Sequence, residues 1–88
     1  MVNREIEVVN KLGIHARPAT MIVKTASQYE SKISLKKDDL AVDAKSIMGV
    51  LILAAQKGSI IVLEVEGPDE EEAADAINQL FDEGFNED

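Results

Sequence analysis

The sequence has no cysteine and no tryptophan, and its 88 residues include a single histidine, His15. Without thiols there is no disulfide, no thiolate nucleophile and no cysteine-based zinc site. One imidazole is too few for a histidine metal cluster, so no metal and no cofactor are expected. Aromatics are nearly as scarce. Tyr29, Phe81 and Phe85 are the whole set, too few to line a small-molecule pocket. Basic residues number 9 against 17 acidic ones, a net charge of -8, which argues against nucleic acid, whose phosphates require a basic surface. No apolar run approaches the roughly 20 residues of a membrane span. The charged, alternating start Met1 to Glu7 is unlike a signal peptide. A soluble, cytoplasmic protein with neither nucleic acid nor membrane as partner is expected. A glycine-rich phosphate loop of the Walker type is also missing, as is any second histidine, so a turnover enzyme is not the expected class.

What is present suffices for one domain over 1–88, since 45% of the residues are apolar. Ile6 and Val8 alternate with Glu5, Glu7 and Val9 as in a half-buried strand. Asn10 to Gly13 reads as a loop. Ala16, Ala19, Ile22, Val23 and Ala26 then recur at helical spacing up to about Tyr29. Lys32, Ser34 and Lys36 alternate with Ile33 and Leu35, a strand with one wet face. Lys37 to Asp39 predicts a turn and Leu40 to Val42 a short strand. Ile47 to Ala55, behind Ser46, predicts a short, mostly buried helix that Gly58 stops, although Gly49 inside it weakens that reading. Ser59 to Glu66, rich in β-branched residues, predicts a central strand. After the Gly67-Pro68 turn, Asp69 stands at an N-cap position, Glu72 at the capping-box position, and Glu70 and Glu71 complement the helix dipole. Ala73, Ile77, Leu80 and Phe81 form the buried stripe of this last helix, which Gly84 ends before an acidic tail. The order β-α-β-β-α-β-α is that of an α+β open-faced sandwich, a four-stranded antiparallel sheet with three helices on one face.

The stretch Gly13-Ile14-His15-Ala16-Arg17-Pro18-Ala19 carries the chemistry. Pro18 falls in the first helical turn, where a missing N–H costs little. The first amides of that helix lack intrahelical partners and, with the helix dipole, make an anion site beside His15. Arg17 adds a fixed charge with a bidentate fork. On chemistry alone, the commoner role of such a histidine is a solvated or capping residue, and Arg17 is as well explained as a surface charge.

The longer run Asn10-Lys11-Leu12-Gly13-Ile14-His15-Ala16-Arg17-Pro18-Ala19 resembles the signature of the HPr family of phosphocarriers, and element order and length agree over nearly the whole chain. The resemblance implies that His15 accepts a phosphoryl group through Nδ1 from Enzyme I, itself charged by phosphoenolpyruvate, and donates it to IIA domains. It implies that Arg17 stabilises the phosphohistidine, that the Ala16 amide donates to the phosphate, and that Thr20, Ile47 and Met48 contact partners. Lys45-Ser46-Ile47-Met48-Gly49-Val50 resembles the regulatory segment of family members whose serine is modified by a kinase/phosphorylase. Ser46 is equally well explained as a helix N-cap, and Ile47 and Met48 as ordinary core. The Ser46 segment is similar to the kinase-regulated, sugar-transport branch. The acidic Gly67-Pro68-Asp69-Glu70-Glu71-Glu72 run and the Leu80-Phe81-Asp82-Glu83-Gly84-Phe85 ending are more similar to nitrogen-related paralogues. A regulatory binding module of the same fold, acting through Ser46 phosphorylation or nitrogen-branch signalling, is the competing expectation.

Overall fold

A computed structural model describes residues 1–86. Glu87 and Asp88, the end of the expected acidic tail, lie outside the described residues. The elements are β1 (Val2–Glu7), α1 (Ala16–Ala26), β2 (Lys32–Lys37), β3 (Leu40–Asp43), α2 (Ile47–Leu53), β4 (Ile60–Glu66) and α3 (Glu70–Asp82), followed by a 3-10 turn, Gly84–Asn86. The strands form one antiparallel sheet in the order β1-β4-β2-β3. β4 is central as expected, pairing Ile6 with Ile61 on one side and Leu35 with Leu63 on the other. Strand alternation sends Ile6, Ile33, Leu35, Ile61, Leu63 and Val65 to one face, where Ala19, Ile22 and Ala26 of α1 and Ala73, Ile77 and Phe81 of α3 complete a fully apolar core. The helices cover that face and leave the other open.

Four local expectations need correction. α1 is shorter than the periodicity implies. Beyond Ala26 the chain tightens into i→i−3 bonds, Gln28 N to Thr25 O at 3.1 Å and Tyr29 N to Ala26 O at 3.2 Å. α2 is not mostly buried. Val50 and Leu53 are inside, whereas Met48 is 67% and Ile52 62% exposed. It ends at Leu53 rather than at Gly58, because Ala54 takes a left-handed conformation (φ 49, ψ 41) and returns its N–H to Leu51 O. The capping box at Glu72 does not form: Glu70 Oε1 instead accepts from Gly67 N at 3.1 Å.

Asp69 occupies the N-cap position of α3 without capping it. Its carboxylate accepts from the backbone N–H groups of Glu30 and Ser31, each at 3.0 Å, and from the Ser31 hydroxyl. It thereby ties the start of α3 to the entrance of β2, and Ser31 is buried at this join. Sequence periodicity also missed Phe85. Its ring is fully buried and meets Phe81 edge-on, with centroids 4.9 Å apart.

The Ser31 hydroxyl above all, then the Glu30 N–H, holds the Asp69 carboxyl below its ordinary value of 3.8. A carboxyl depressed in the folded state contributes stability that is present above its unfolded value and lost as pH falls through its folded one. Asp69→Asn should therefore lower the urea midpoint at pH 7, and its deficit against wild type should shrink once the pH drops below 3.8. Paired urea titrations across that window check this; a deficit independent of pH would contradict it.

Candidate functional site

His15 stands at the N-cap of α1 in an extended conformation (φ -104, ψ -165), and its carbonyl accepts the first helical bond, from Ala19 N at 2.9 Å. The first three helical residues are Ala16, Arg17 and Pro18. Pro18 has no N–H, so the amides of Ala16 and Arg17 are the donors the helix start offers to an anion. Pro18 is buried, fixing the first turn against the core, while Ala16 and Arg17 are exposed and His15 is half-exposed. This is the arrangement expected from the sequence: an imbedded first turn that holds an imidazole, two amides and a guanidinium at the surface.

The loop before His15 is folded onto itself and onto the exit of α2. Gly13 N donates to Asn10 O at 3.2 Å, the Asn10 side-chain amide donates to Gly13 O at 2.7 Å, and Ile14 N donates to Ala55 O at 2.8 Å. Gly13 has φ +69, and a Cβ there would fall 2.5 Å from Ala55 O and 3.0 Å from Gln56 Cα. Only glycine permits that approach without displacing backbone.

Other expected site residues are distributed around this point. Thr20 is exposed one turn into α1, and its Oγ1 donates to Ala16 O at 2.9 Å. Ser46 is the N-cap of α2, its Oγ accepting from Gly49 N at 3.1 Å. Ile47 and Met48 follow it and are exposed at 42% and 67%, so their reading as core is overturned. α2 packs against α1, with Ser46 at its start and Ala55, which meets Ile14, beyond its end. His15, Ala16 and Arg17 are consecutive at the start of α1, and Ser46 stands at the end of α2 away from Ala55.

Exposed apolar residues not singled out from the sequence include Leu12 at 73%, Leu51 at 39% and Ile52 at 62%. The signal existed. α2 reads IMGVLIL, apolar on every side, yet a short helix on a sheet edge buries only one stripe. Charge is segregated too. Residues 8–29 and 44–63 contain Lys11, Arg17, Lys24, Lys45 and Lys57 and no acid, so the parts that build this surface are cationic in an otherwise acidic chain. Among the described residues no group of three or more His, Cys, Asp or Glu could hold a metal ion, and no helix is long and apolar enough to cross a membrane.

An imidazole at the N-cap of a helix, followed by two amide donors and an exposed arginine, is suited to holding an anionic group. The family is identified independently. Residues 2–83 match the model of the PTS HPr component phosphorylation site. The chain is 52% identical over 87 residues to phosphocarrier protein HPr of Treponema pallidum, covering 99% of each. It is 39% identical over 88 residues to phosphocarrier protein NPr of Escherichia coli, covering 99% of this chain and 98% of that one. Its fold superposes on a crystal structure of HPr from Thermoanaerobacter tengcongensis with a TM-score of 0.96 at 45% identity, covering 100% and 99% of the two chains. The chain belongs to the HPr family of phosphotransferase-system phosphocarriers.

Gly13→Ala should cost about 1–3 kcal/mol, the range for a strained left-handed residue. Its amide shifts in a two-dimensional NMR spectrum should cluster at residues 13–17 and at Ala55 and Gln56. Shifts spread evenly over the sheet would show that the loop is not held by this contact.

Proposed function

We propose that this chain carries a phosphoryl group on His15, taken from phospho-Enzyme I and given to a IIA-type domain, and that it acts stoichiometrically rather than as a turnover enzyme. The observation that carries the reading is the position of His15 at the N-cap of α1, beside the Ala16 and Arg17 amides. The lone pair of Nδ1 attacks phosphorus, the bond from phosphorus to the donor breaks, and its electron pair stays with the donor. Delivery to the acceptor reverses these roles. Such a transfer depends chiefly on positioning and charge stabilisation. The two amides and the Arg17 guanidinium supply donors where the phosphoryl oxygens arrive. A cytoplasmic location follows from the proposed donor.

Partners dock on the acid-free surface around His15. Thr20, Ile47 and Met48 are the contacts expected from the family, and the exposed Leu12, Leu51 and Ile52 extend that patch. An apolar centre with cations nearby suits a partner with an acidic rim, and long-range attraction speeds encounter without making release slow. Ser46 is the proposed regulatory site for a kinase/phosphorylase. Phosphate on it would add about -1.5 to -2 charge next to Ile47 and Met48 without opposing the α2 dipole. The regulatory module acting through Ser46 alone is the second reading, supported by the half-exposed position of that hydroxyl.

Incubation with phosphoenolpyruvate and Enzyme I, of the sugar branch and separately of the nitrogen branch, should add one acid-labile phosphate to the wild type and none to His15→Ala, read by intact mass. The Enzyme I that charges the protein identifies its branch. Failure with both would overturn the carrier reading and leave the Ser46 module. Ser46→Asp should slow phosphorylation by about tenfold, the equivalent of 1.4 kcal/mol, while Ser46→Ala should cost about 1 kcal/mol of stability with little change in rate. Equal rates for wild type and Ser46→Asp would remove Ser46 as a regulator of this step.

A further inference from the structure

We infer that Asn10 is a positioning residue for His15, a role that rests on the phosphocarrier reading and goes beyond it. Asn10 is only 2% exposed and lies five residues before the histidine, just past the end of β1. The strand pairing runs on to Val8, which exchanges bonds with Ser59 O at 2.9 Å and Gly58 N at 2.7 Å. Asn10 thus stands two residues beyond the last paired residue of the sheet, where the loop leaves it.

Its side-chain amide donates to Gly13 O at 2.7 Å, while its carbonyl receives Gly13 N at 3.2 Å. The same Gly13 carbonyl accepts His15 N at 3.2 Å. The Asn10 amide and the His15 backbone therefore converge on one oxygen, and the turn from Asn10 to His15 is closed from both ends. The bond is buried, so water cannot replace it without opening the loop. The second anchor, Ile14 N to Ala55 O at 2.8 Å, fixes the loop laterally against the exit of α2. With Asn10 in place the backbone of His15 has two independent ties. Without that side chain, the loop keeps its backbone bonds, Gly13 N to Asn10 O, His15 N to Gly13 O and Ile14 N to Ala55 O, and the Gly13 carbonyl loses its buried side-chain donor.

Asn10 is too deep to meet a partner, so its effect reaches the chemistry through His15. The imidazole must be held in line with the incoming phosphorus, and displacement of a reacting group by about 1 Å can cost on the order of a hundredfold in rate. Of the docking residues, Thr20 on α1 and Ile47, Met48, Leu51 and Ile52 on α2 lie outside the loop that Asn10 closes, and Leu12 alone lies within it. A positioning role therefore predicts an effect on kcat without one on KM.

The test is the kinetics of phosphorylation by Enzyme I, with this protein as the varied substrate, for wild type, Asn10→Ala and Ile77→Val. Ile77 is buried in α3 and supplies a destabilised variant whose lesion is remote from His15. All are assayed at a temperature where circular dichroism shows them folded. Asn10→Ala should lower kcat by about tenfold or more, leave KM for Enzyme I within about twofold, and speed hydrolysis of the phosphohistidine. Ile77→Val should leave all three unchanged. If Asn10→Ala does not fold, Asn10→Ser, whose hydroxyl is too short to reach Gly13 O, is expected to give the same loss of kcat. An unchanged kcat, a loss confined to KM, or an equal loss in Ile77→Val would each overturn the assignment. Absence of phosphate on the wild type would be a different failure, that of the carrier reading itself.

Discussion

The contact on which the site depends is the approach of the Gly13 loop to the backbone at Ala55. One hydrogen bond, Ile14 N to Ala55 O at 2.8 Å, and one missing side chain at Gly13 bring the segment before α1 against the segment after α2. His15 takes its position from that join, because it follows Ile14 directly and begins α1 while Pro18 is locked into the core. The end of α2 takes its position there as well, since the left-handed Ala54 turns the chain so that Ala55 O points to Ile14 N. A histidine on an exposed helix start would by itself wander with the loop before it. Here the loop is spliced to two elements whose positions the sheet already fixes, so the surface histidine inherits the rigidity of the core.

The same economy explains the apolar exposure of α2. A seven-residue helix packed between α1 and β3 can bury one stripe, which Val50 and Leu53 supply. Ile47, Met48, Leu51 and Ile52 gain nothing from the fold in this position, and a chain selected for stability alone would carry polar residues there. Apolar side chains on a short helix packed against α1 would be accounted for by the partner docking proposed above. The Asp69 carboxylate tells the opposite story. It sits where sequence logic places a helix cap and instead fastens α3 to the entrance of β2, a contact between elements that are distant in sequence.

Those two cases mark what could be read from the sequence and what could not. Period-two and period-3.6 patterns placed β1, β2, α1 and α3, because burial of one face leaves a periodic trace, while β3, α2 and β4 were read from a turn, an apolar run and β-branched content. The run around His15 was legible through its resemblance to the HPr signature; Gly13 at φ +69 and Pro18 in the first helical turn answer local backbone demands, but chemistry alone left the role of His15 open. Phe85 escaped because the left-handed turn at Gly84–Asn86 swings it back onto Phe81, outside any helical period. The exposure of α2 escaped because an all-apolar run looks the same whether its far side meets protein or solvent. Asn10 escaped because a short polar residue in a loop resembles any other until its side-chain partner, Gly13 O, is known. Tertiary closure, not propensity, decides all three.

Charge placement completes the logic of a carrier. The chain as a whole is acidic, yet residues 8–29 and 44–63 are free of acids and hold five of the nine basic residues. A uniformly acidic surface would repel both an acidic donor and the phosphate itself, and a uniformly basic one would bind anions everywhere. Such segregation would favour approach of a negatively charged partner, as proposed, to the acid-free segments rather than to α3 with its Glu71, Glu72 and Asp75. A phosphoryl group on His15, as proposed, would offset part of that local positive field. The attraction toward a negatively charged donor would then be weakened by the transfer itself, which would favour release. For a protein that must leave one partner to reach the next, a modest apolar patch with a charge that changes at each transfer is better suited than a large, tightly complementary interface.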